Sequence, residues 1–355
     1  MPLIGILLDA RVYRGIRAGK TGNEHLRLYN KAASSLGLTP FYLCLERVNP
    51  SAGTASGYKY TRGKYRLVRT RIPELIHNRT IPVTPGMKTR LKRLNRVAHV
   101  FNAQNRYSKY YIHKLLKDAF AAHVPQSATY SKASLRKWMR RFSSIYVKPQ
   151  RSSVGNGVMK LTQLGSGRWR LQLPSGSLTG TASVVAARVD RLARRQPYMV
   201  QQAIALARYR GKPYDIRVSV QRAGQGAWQV TGIVGKVARK GSHVTNVARG
   251  GTVRTCSKLL RGFASPAHVA HEVNTLSLNI ASYLGKRLRR LADVGLDVGV
   301  DREGKPYFIE LNCRDQRYSF KKAGLRAAFY HTYANPLKFA KHLLDSKKKP
   351  HDSSF

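Results

Sequence analysis

The strongest constraint on this chain lies near its end, where two apolar strand patterns carry oxygen-bearing side chains: Gly295-Leu296-Asp297-Val298 and Phe308-Ile309-Glu310-Leu311-Asn312, separated by a turn at Gly304. The pattern predicts an antiparallel hairpin. Glu310 and Asn312 are two residues apart, so both side chains leave the same face of their strand, and Asp297 comes alongside from the neighbouring one. Three oxygen donors then converge, which suits a hard divalent cation such as Mg2+ whose octahedron is completed by phosphate oxygens and water. The chain has 16 Asp and Glu against 65 Lys and Arg. Two of so few carboxylates in one hairpin mark it as a functional element rather than a solvated strand.

A second element points to phosphate. Lys148 follows the apolar strand Ile145-Tyr146-Val147 and precedes Pro149-Gln150-Arg151-Ser152-Ser153-Val154-Gly155-Asn156-Gly157. Small residues let backbone N–H groups approach phosphate oxygens, and a lysine at a strand end supplies a compact cation. A rival signal, Gly15-Ile16-Arg17-Ala18-Gly19-Lys20-Thr21, follows a strand and resembles a P-loop. It has three residues between its glycines where a P-loop needs four, so a substrate or interdomain loop is the better reading.

Elsewhere the pattern is α/β. Residues 3–8 read as a buried strand, 23–36 as a helix ended by Gly37, and 39–45 as a second strand, giving a β-α-β unit. A polar strand pair over 58–71 and a short strand over 74–77 complete a small domain spanning 1–105. A helix over 108–121 opens a larger region, 106–345, with strands over 168–173, 199–202, 216–221, 228–237, 296–300 and 307–311 and helices over 182–195 and 266–291. This region divides at about residue 200, into a first part with the phosphate loop and a second with the metal hairpin. Residues 346–355 read as a basic, mobile tail. At 355 residues, 42% apolar and with 29 glycines and 15 prolines scattered, the chain has the make-up of a folded, multi-domain protein.

The formal net charge is +49. Such a field attracts polyanions without distinguishing among nucleic acid, acidic polypeptide, wall polymer and membrane surface. No zinc finger or RNA-recognition signature accompanies it, so nucleic-acid binding rests on charge alone. Cys44, Cys256 and Cys313 are too few and too dispersed for a disulfide framework, which favours free thiols in a reducing compartment. The apolar start is too short for a signal core or a membrane span, and a cytoplasmic protein is expected. His25, His113 and His243 read as structural or surface residues.

Taken in order, these segments resemble the ATP-grasp superfamily, and within it the YheC/YheD family of spore-coat-associated proteins of endospore formers. The resemblance rests on Ile4-Gly5-Ile6-Leu7, Pro73-Glu74-Leu75-Ile76-His77-Asn78-Arg79, Ser108-Lys109-Tyr110, Lys148 with its loop, Asp215-Ile216-Arg217, Asn246 with Arg249-Gly250-Gly251, and the closing hairpin. It implies an ATP-grasp fold of α/β (α+β) class behind a small amino-terminal α/β domain. It also implies that Lys109 and Lys148 reach the phosphates of ATP, that the loop through Ser152, Ser153, Gly155 and Gly157 closes over them, and that Gln201, Gln202 and Ile204 line the adenine pocket. Asp297, Glu310 and Asn312 would hold Mg2+, two ions or Mn2+ in its place. Arg217 and Lys236 would stand near the γ-phosphate and an acyl phosphate, with Asn246 near the second metal or the transferred phosphate. Two departures matter. D-alanine:D-alanine ligases carry an arginine where this chain has Gly295, a role left to Arg314 or Arg317, and the ribose-binding glutamate of many relatives is replaced by Gln201-Gln202.

The resulting expectation is an ADP-forming carboxylate–amine ligase, made in the cytoplasm, associated with the spore and acting on an acidic substrate. The alternatives are a non-catalytic polyanion-binding coat protein that keeps the fold, and phosphoryl transfer without ligation. No transmembrane segment is expected, and the oligomeric state is open.

Overall fold

The computed structural model describes residues 1–152, 155–242, 244–245, 247 and 250–348. Within it the chain folds around three sheets. The first contains β1 (Leu3–Leu7), β2 (Thr39–Leu43), β3 (Val48–Asn49), β4 (Thr54–Thr61), β5 (Lys64–Arg71), β6 (Leu75–Asn78) and β7 (His99–Phe101), in the order β3-β4-β2-β1-β6-β7 with β5 paired to β4. Its centre, β2-β1-β6-β7, is parallel. The unbroken apolar run of β1 follows from burial of both faces. Ile4 and Ile6 pack with Tyr29 and Ala33 of the Leu26–Ser35 helix and with Tyr333 and Leu337 of the closing Arg326–Lys348 helix, while Leu7 packs with Leu91 and Leu94 of the Pro85–Val97 helix.

The second sheet is antiparallel, in the order β12-β11-β10-β9-β13-β8, built from β8 (Ser127–Thr129), β9 (Ser144–Pro149), β10 (Met159–Gln163), β11 (Arg168–Leu173), β12 (Gly176–Thr181) and β13 (Tyr198–Gln202). The third, β17-β16-β15-β18-β19 with β14 on β15, comprises β14 (Arg208–Tyr209), β15 (Lys212–Arg222), β16 (Trp228–Val237), β17 (Thr252–Arg254), β18 (Asp293–Val300) and β19 (Pro306–Asn312). The expected hairpin is β18–β19, antiparallel, with Asp297 directly opposite Glu310 and an irregularity after Asp297.

The structure refines the expectations at three segments. The glycine segment after β1 is a closed turn, not a phosphate loop: the amide of Lys20 donates to the carbonyl of Gly15 at 2.8 Å, and a Cβ on Gly15 would lie 2.0 Å from the carbonyl oxygen of Lys20. The chain does not become an unstructured tail at Ser346, because the closing helix continues through Lys348. Residues 85–97, to which the sequence pattern assigned no element, form the Pro85–Val97 helix, whose start is set by the Thr84 side chain accepting from the amide of Met87, with Pro85 in the first turn.

The first and third sheets are joined by a buried charge cluster centred on Asp293 at the start of β18. One carboxylate oxygen accepts from Arg317 at 2.8 Å and from neutral His77 at 3.1 Å, with Arg79 at 3.6 Å; the other accepts from Gln221 at 2.9 Å. Arg79 also pairs with Glu24 at 2.8 Å, and Arg317 donates to the Tyr29 hydroxyl at 2.7 Å. Asn102 closes the joint by accepting from the amides of Ala292 and Asp293 and donating to the carbonyl of Cys313. Burial by itself would raise the Asp293 carboxyl, but Arg317, then His77 and Arg79, outweigh it and hold it well below the usual carboxylate range. Burial pushes His77 down to about 4, so it is uncharged at neutral pH.

Leaving buried guanidinium groups unpaired is expensive, so Asp293→Asn is expected to destabilise the fold by about 3–5 kcal/mol in a urea titration. Because the folded carboxyl titrates lower than the unfolded one, its contribution is present above about pH 4, the unfolded value, and is lost as pH falls below it. The difference in stability between wild type and variant should shrink over that acid range and be constant above it.

Candidate functional site

A cleft of about 710 Å³ is lined by β9, β13, β15, β16, β18 and β19 and floored by residues near the ends of β1 and β6, including Asp9 and Arg79. Lys109 and Lys148 enter it from the second-sheet side. Ser108 caps the Lys109–Leu116 helix by accepting from the amide of Tyr111, which fixes Lys109 at its first turn. The Lys109 ammonium donates to the carbonyl of Ser152 at 2.8 Å and pairs with Glu310 at 3.0 Å, so this single cation spans the phosphate-type loop and the hairpin. Lys148 donates to Gln201 Oε1 at 2.5 Å and lies 4.8 Å from the centre of the Tyr146 ring. Among the described residues the buried Ser152 hydroxyl oxygen has no partner.

From the other side, Arg217 grips Asp297 in bidentate fashion, at 2.7 and 3.2 Å, and reaches Asp315 at 3.0 Å. Lys236 sits between Asp297 at 2.8 Å and Asp215 at 3.0 Å, and Thr245 donates to Asp215. The register explains the cluster: Asp215 is opposite Lys236, and Arg217 is opposite Asp297. Gly295 belongs to the same design, since a Cβ there would lie 2.3 Å from Asp315 Oδ1 and 3.2 Å from Arg217 Cδ. The glycine departure noted in the sequence therefore clears space for a salt bridge.

Four cations, Lys109, Lys148, Arg217 and Lys236, thus face four carboxylates, Asp215, Asp297, Glu310 and Asp315, in a chain of charge +49. Burial drives Lys148 down to about 8 because an ammonium loses its hydration there; Glu310 opposes the shift and Lys109 adds to it. Asp297 is held well below the usual range, where Arg217 and Lys236 outweigh the effect of burial. Burial raises Asp215, with Lys236 opposing.

Among the described residues no group of three or more His, Cys, Asp or Glu is clustered as around a metal. The donor set expected for Mg2+ consists of two carboxylates and an amide, and here Asp297 and Glu310 are both paired with side-chain cations while Asn312 donates to Asp297 at 3.4 Å. The chemistry of this set fits a hard cation: all are oxygen-bearing, they occupy one patch of the hairpin, and ammonium and guanidinium groups already sit on them as counter-charges.

Other expectations fare unevenly. Gln201, Gln202, Ile204, Ser152, Gly155 and Arg314 line the cleft, whereas Gly157 does not and packs towards Pro149 and Tyr198. Ser153, Asn246, Arg249 and His243 lie outside the described residues. Arg317 is a buried member of the Asp293 cluster, which leaves Arg314, paired with Asp9 at 2.8 Å, as the arginine near the mouth. His113 is a structural residue, the first of the two readings given for it. It is buried, within hydrogen-bonding distance of Gln201 Nε2 at 3.1 Å, and burial pushes it down to about 3. A position on the inner face of the Lys109–Leu116 helix, four residues after Lys109, was the signal available for it. Asp315 was missed, although it follows directly on the hairpin.

An antiparallel lysine-bearing sheet facing a second antiparallel sheet with an oxygen-rich hairpin, behind a parallel amino-terminal sheet, is the architecture of an ATP-grasp protein. The chain belongs to the YheC/D-like ATP-grasp family, whose model matches residues 98–343. It is similar to the endospore coat-associated protein YheD of Bacillus subtilis (strain 168), 25% identical over 319 residues, covering 85% of this chain and 70% of that protein. Among solved structures it is similar in fold to the D-cycloserine synthetase DcsG, with a TM-score of 0.57 and 15% identity over 94% of this chain and 100% of that one. D-alanyl-alanine synthetase A from Vibrio cholerae matches at TM-score 0.55 and 12% identity, over 96% and 98%. The ATP-grasp ligase PsnB, complexed with a minimal precursor variant, Mg and ADP, matches at 0.54 and 15%, over 94% and 98%.

The Lys148 amine is expected to react with an amine-selective acylating reagent along a pH profile with its midpoint near 8, about two units below an exposed lysine. Peptide mass spectrometry reads this directly, and a Lys148 profile like that of exposed lysines would show that burial does not depress it.

Proposed function

We propose that this chain is an ATP- and Mg2+-dependent ligase that activates a carboxylate as an acyl phosphate and joins it to an amine. The observation that carries the reading is the opposition of Lys109, Lys148, Arg217 and Lys236 to Asp297, Glu310 and Asn312 in one cleft. Cations placed before any ligand arrives are what phosphoryl transfer requires, since its catalysis is mostly positioning and charge stabilisation. On this reading the adenine occupies the end lined by Ile204, Gln201 and Gln202, and Lys109 and Lys148 hold the phosphates under the loop through Ser152 and Gly155. Asp297, Glu310 and Asn312 hold Mg2+, which neutralises phosphate charge when bound.

The substrate carboxylate attacks the γ-phosphorus, the bond to the β-phosphate oxygen breaks, and ADP leaves. The amine then attacks the acyl carbon, phosphate departs, and the amine proton passes to solvent. Arg217, Lys236 and Arg314 stabilise the charge developing on the transferred group. The region 106–345 is the ATP-grasp unit, divided at about 200, and 1–105 is the domain that completes the substrate side. The likeness to YheD supports an association with the spore. No helix among the described residues is long and apolar enough to cross a membrane.

One observation favours a second reading. Both oxygens of Asp297 are already engaged by Arg217, with Lys236 on one of them, as would suit a polyanion-binding protein that keeps the fold without turnover.

The test is ADP and phosphate release from Mg-ATP in the presence of pooled amino acids and an acidic polypeptide. Substrate-dependent release that falls about a hundredfold or more in Glu310→Gln supports the ligase. ATP binding without release supports the second reading, and failure to bind ATP overturns both the nucleotide site and the ligase.

A further inference from the structure

A second cavity, of about 520 Å³, opens beside the cleft and shares Val83, Asn105, Arg106 and Arg151 with it. One wall is the Pro85–Val97 helix, which contributes Lys88, Leu91, Lys92 and Asn95. Their spacing of three, four and seven places them on one face. Four cations therefore line this annex, Lys88, Lys92, Arg106 and Arg151. All four are exposed, and no described carboxylate lies within ion-pairing distance of any of them. This contrasts with Lys109, Arg217 and Lys236 in the cleft, each of which is paired with a carboxylate. The positive field of the annex is left for something outside the chain.

Asn105 supplies an independent observation. It stands at the junction of the two cavities, is 7% exposed, and donates through Nδ2 to the carbonyl of Thr80 at 2.6 Å. That bond fixes the amide orientation and leaves Oδ1 buried with no donor among the described residues. A buried acceptor without a partner costs about 1–3 kcal/mol, a cost that a ligand N–H reaching it from the cavity would offset.

We infer that the annex binds an acidic polypeptide segment of the substrate, its carboxylates on Lys88, Lys92, Arg106 and Arg151 and a backbone N–H on Asn105 Oδ1, and so feeds the adjoining segment into the cleft. The chemistry selects this occupant: carboxylates answer the four free cations, and a peptide amide answers the orphaned acceptor, which a phosphate polymer cannot. This rests on the ligase reading for the direction of feeding, but the binding is separate from turnover.

The experiment is fluorescence anisotropy of a labelled poly-L-glutamate of about 15 residues, at fixed ionic strength and without ATP. The double variant Lys88→Glu, Lys92→Glu is expected to weaken binding about tenfold or more. The control Lys64→Glu, Arg66→Glu on β5 outside the annex makes the same change in net charge and should stay within about twofold. Polyacrylate of matched charge, with carboxylates but no amides, should bind several-fold more weakly than the peptide, and polyphosphate should compete poorly. Equal effects of the two double variants, or no effect of either, overturns the annex as the site. Polyacrylate or polyphosphate binding as tightly as the peptide overturns the assignment to polypeptide. Mg-ATP binding by Lys88→Glu, Lys92→Glu, measured alongside, should match wild type, so loss of peptide binding and failure of the nucleotide site are read apart.

Discussion

The structure turns on how a chain with four times as many basic as acidic residues uses its carboxylates. Glu24, Asp215, Asp293, Asp297, Asp301 and Asp315 are all buried, and all but Asp301 lie among the arginines and lysines of the cleft or of the cluster beneath it. A buried guanidinium without a counter-charge costs several kcal/mol. The interior positions of Arg79, Arg217, Lys236 and Arg317 are therefore tenable only because these carboxylates reach them. The surface is left overwhelmingly positive as a consequence.

This distribution sets the character of the site. In its core, charges are paired across strands in register, so the cations are held at defined positions in a low-polarity setting. At its margin, in the annex beside the Pro85–Val97 helix, they are unpaired and solvated. The first arrangement suits exact placement of a small, highly charged ligand, and the second suits capture of an extended one. Gly295 shows how closely the core is fitted, because the space a side chain would need is filled by Asp315 and Arg217.

What was legible in the sequence is what is encoded locally. The β18–β19 hairpin, the strand ending in Lys148 and the helix that begins at Lys109 each carry their signal within about twenty residues, as alternation, a turn glycine or a capping serine. The Asp293 cluster does not: His77 and Asp293 are 216 residues apart, and no periodicity announces that they meet. Asp315 was overlooked for a related reason, since it is a single polar residue whose role depends on what a distant strand places against it. The Pro85–Val97 helix had a readable start at Thr84 and Pro85, but its dense basic charge masked the apolar Leu91 and Leu94. The resemblance points to Gln201 and Gln202 for an adenine pocket, yet the bond between Gln201 and Lys148 follows from pairing of β13 with β9.

The closing helix has a consequence for how the molecule comes into being. One face of β1 is covered by Tyr333 and Leu337, and Asp293 and Arg317 complete the charges around His77 and Arg79. Strand β1 thus receives its last partners from residues made more than 300 positions later. Folding outward from the amino terminus as the chain is synthesised would leave that apolar face bare for most of translation. The first sheet instead matures together with the Arg326–Lys348 helix, and removal of that helix would be felt at β1.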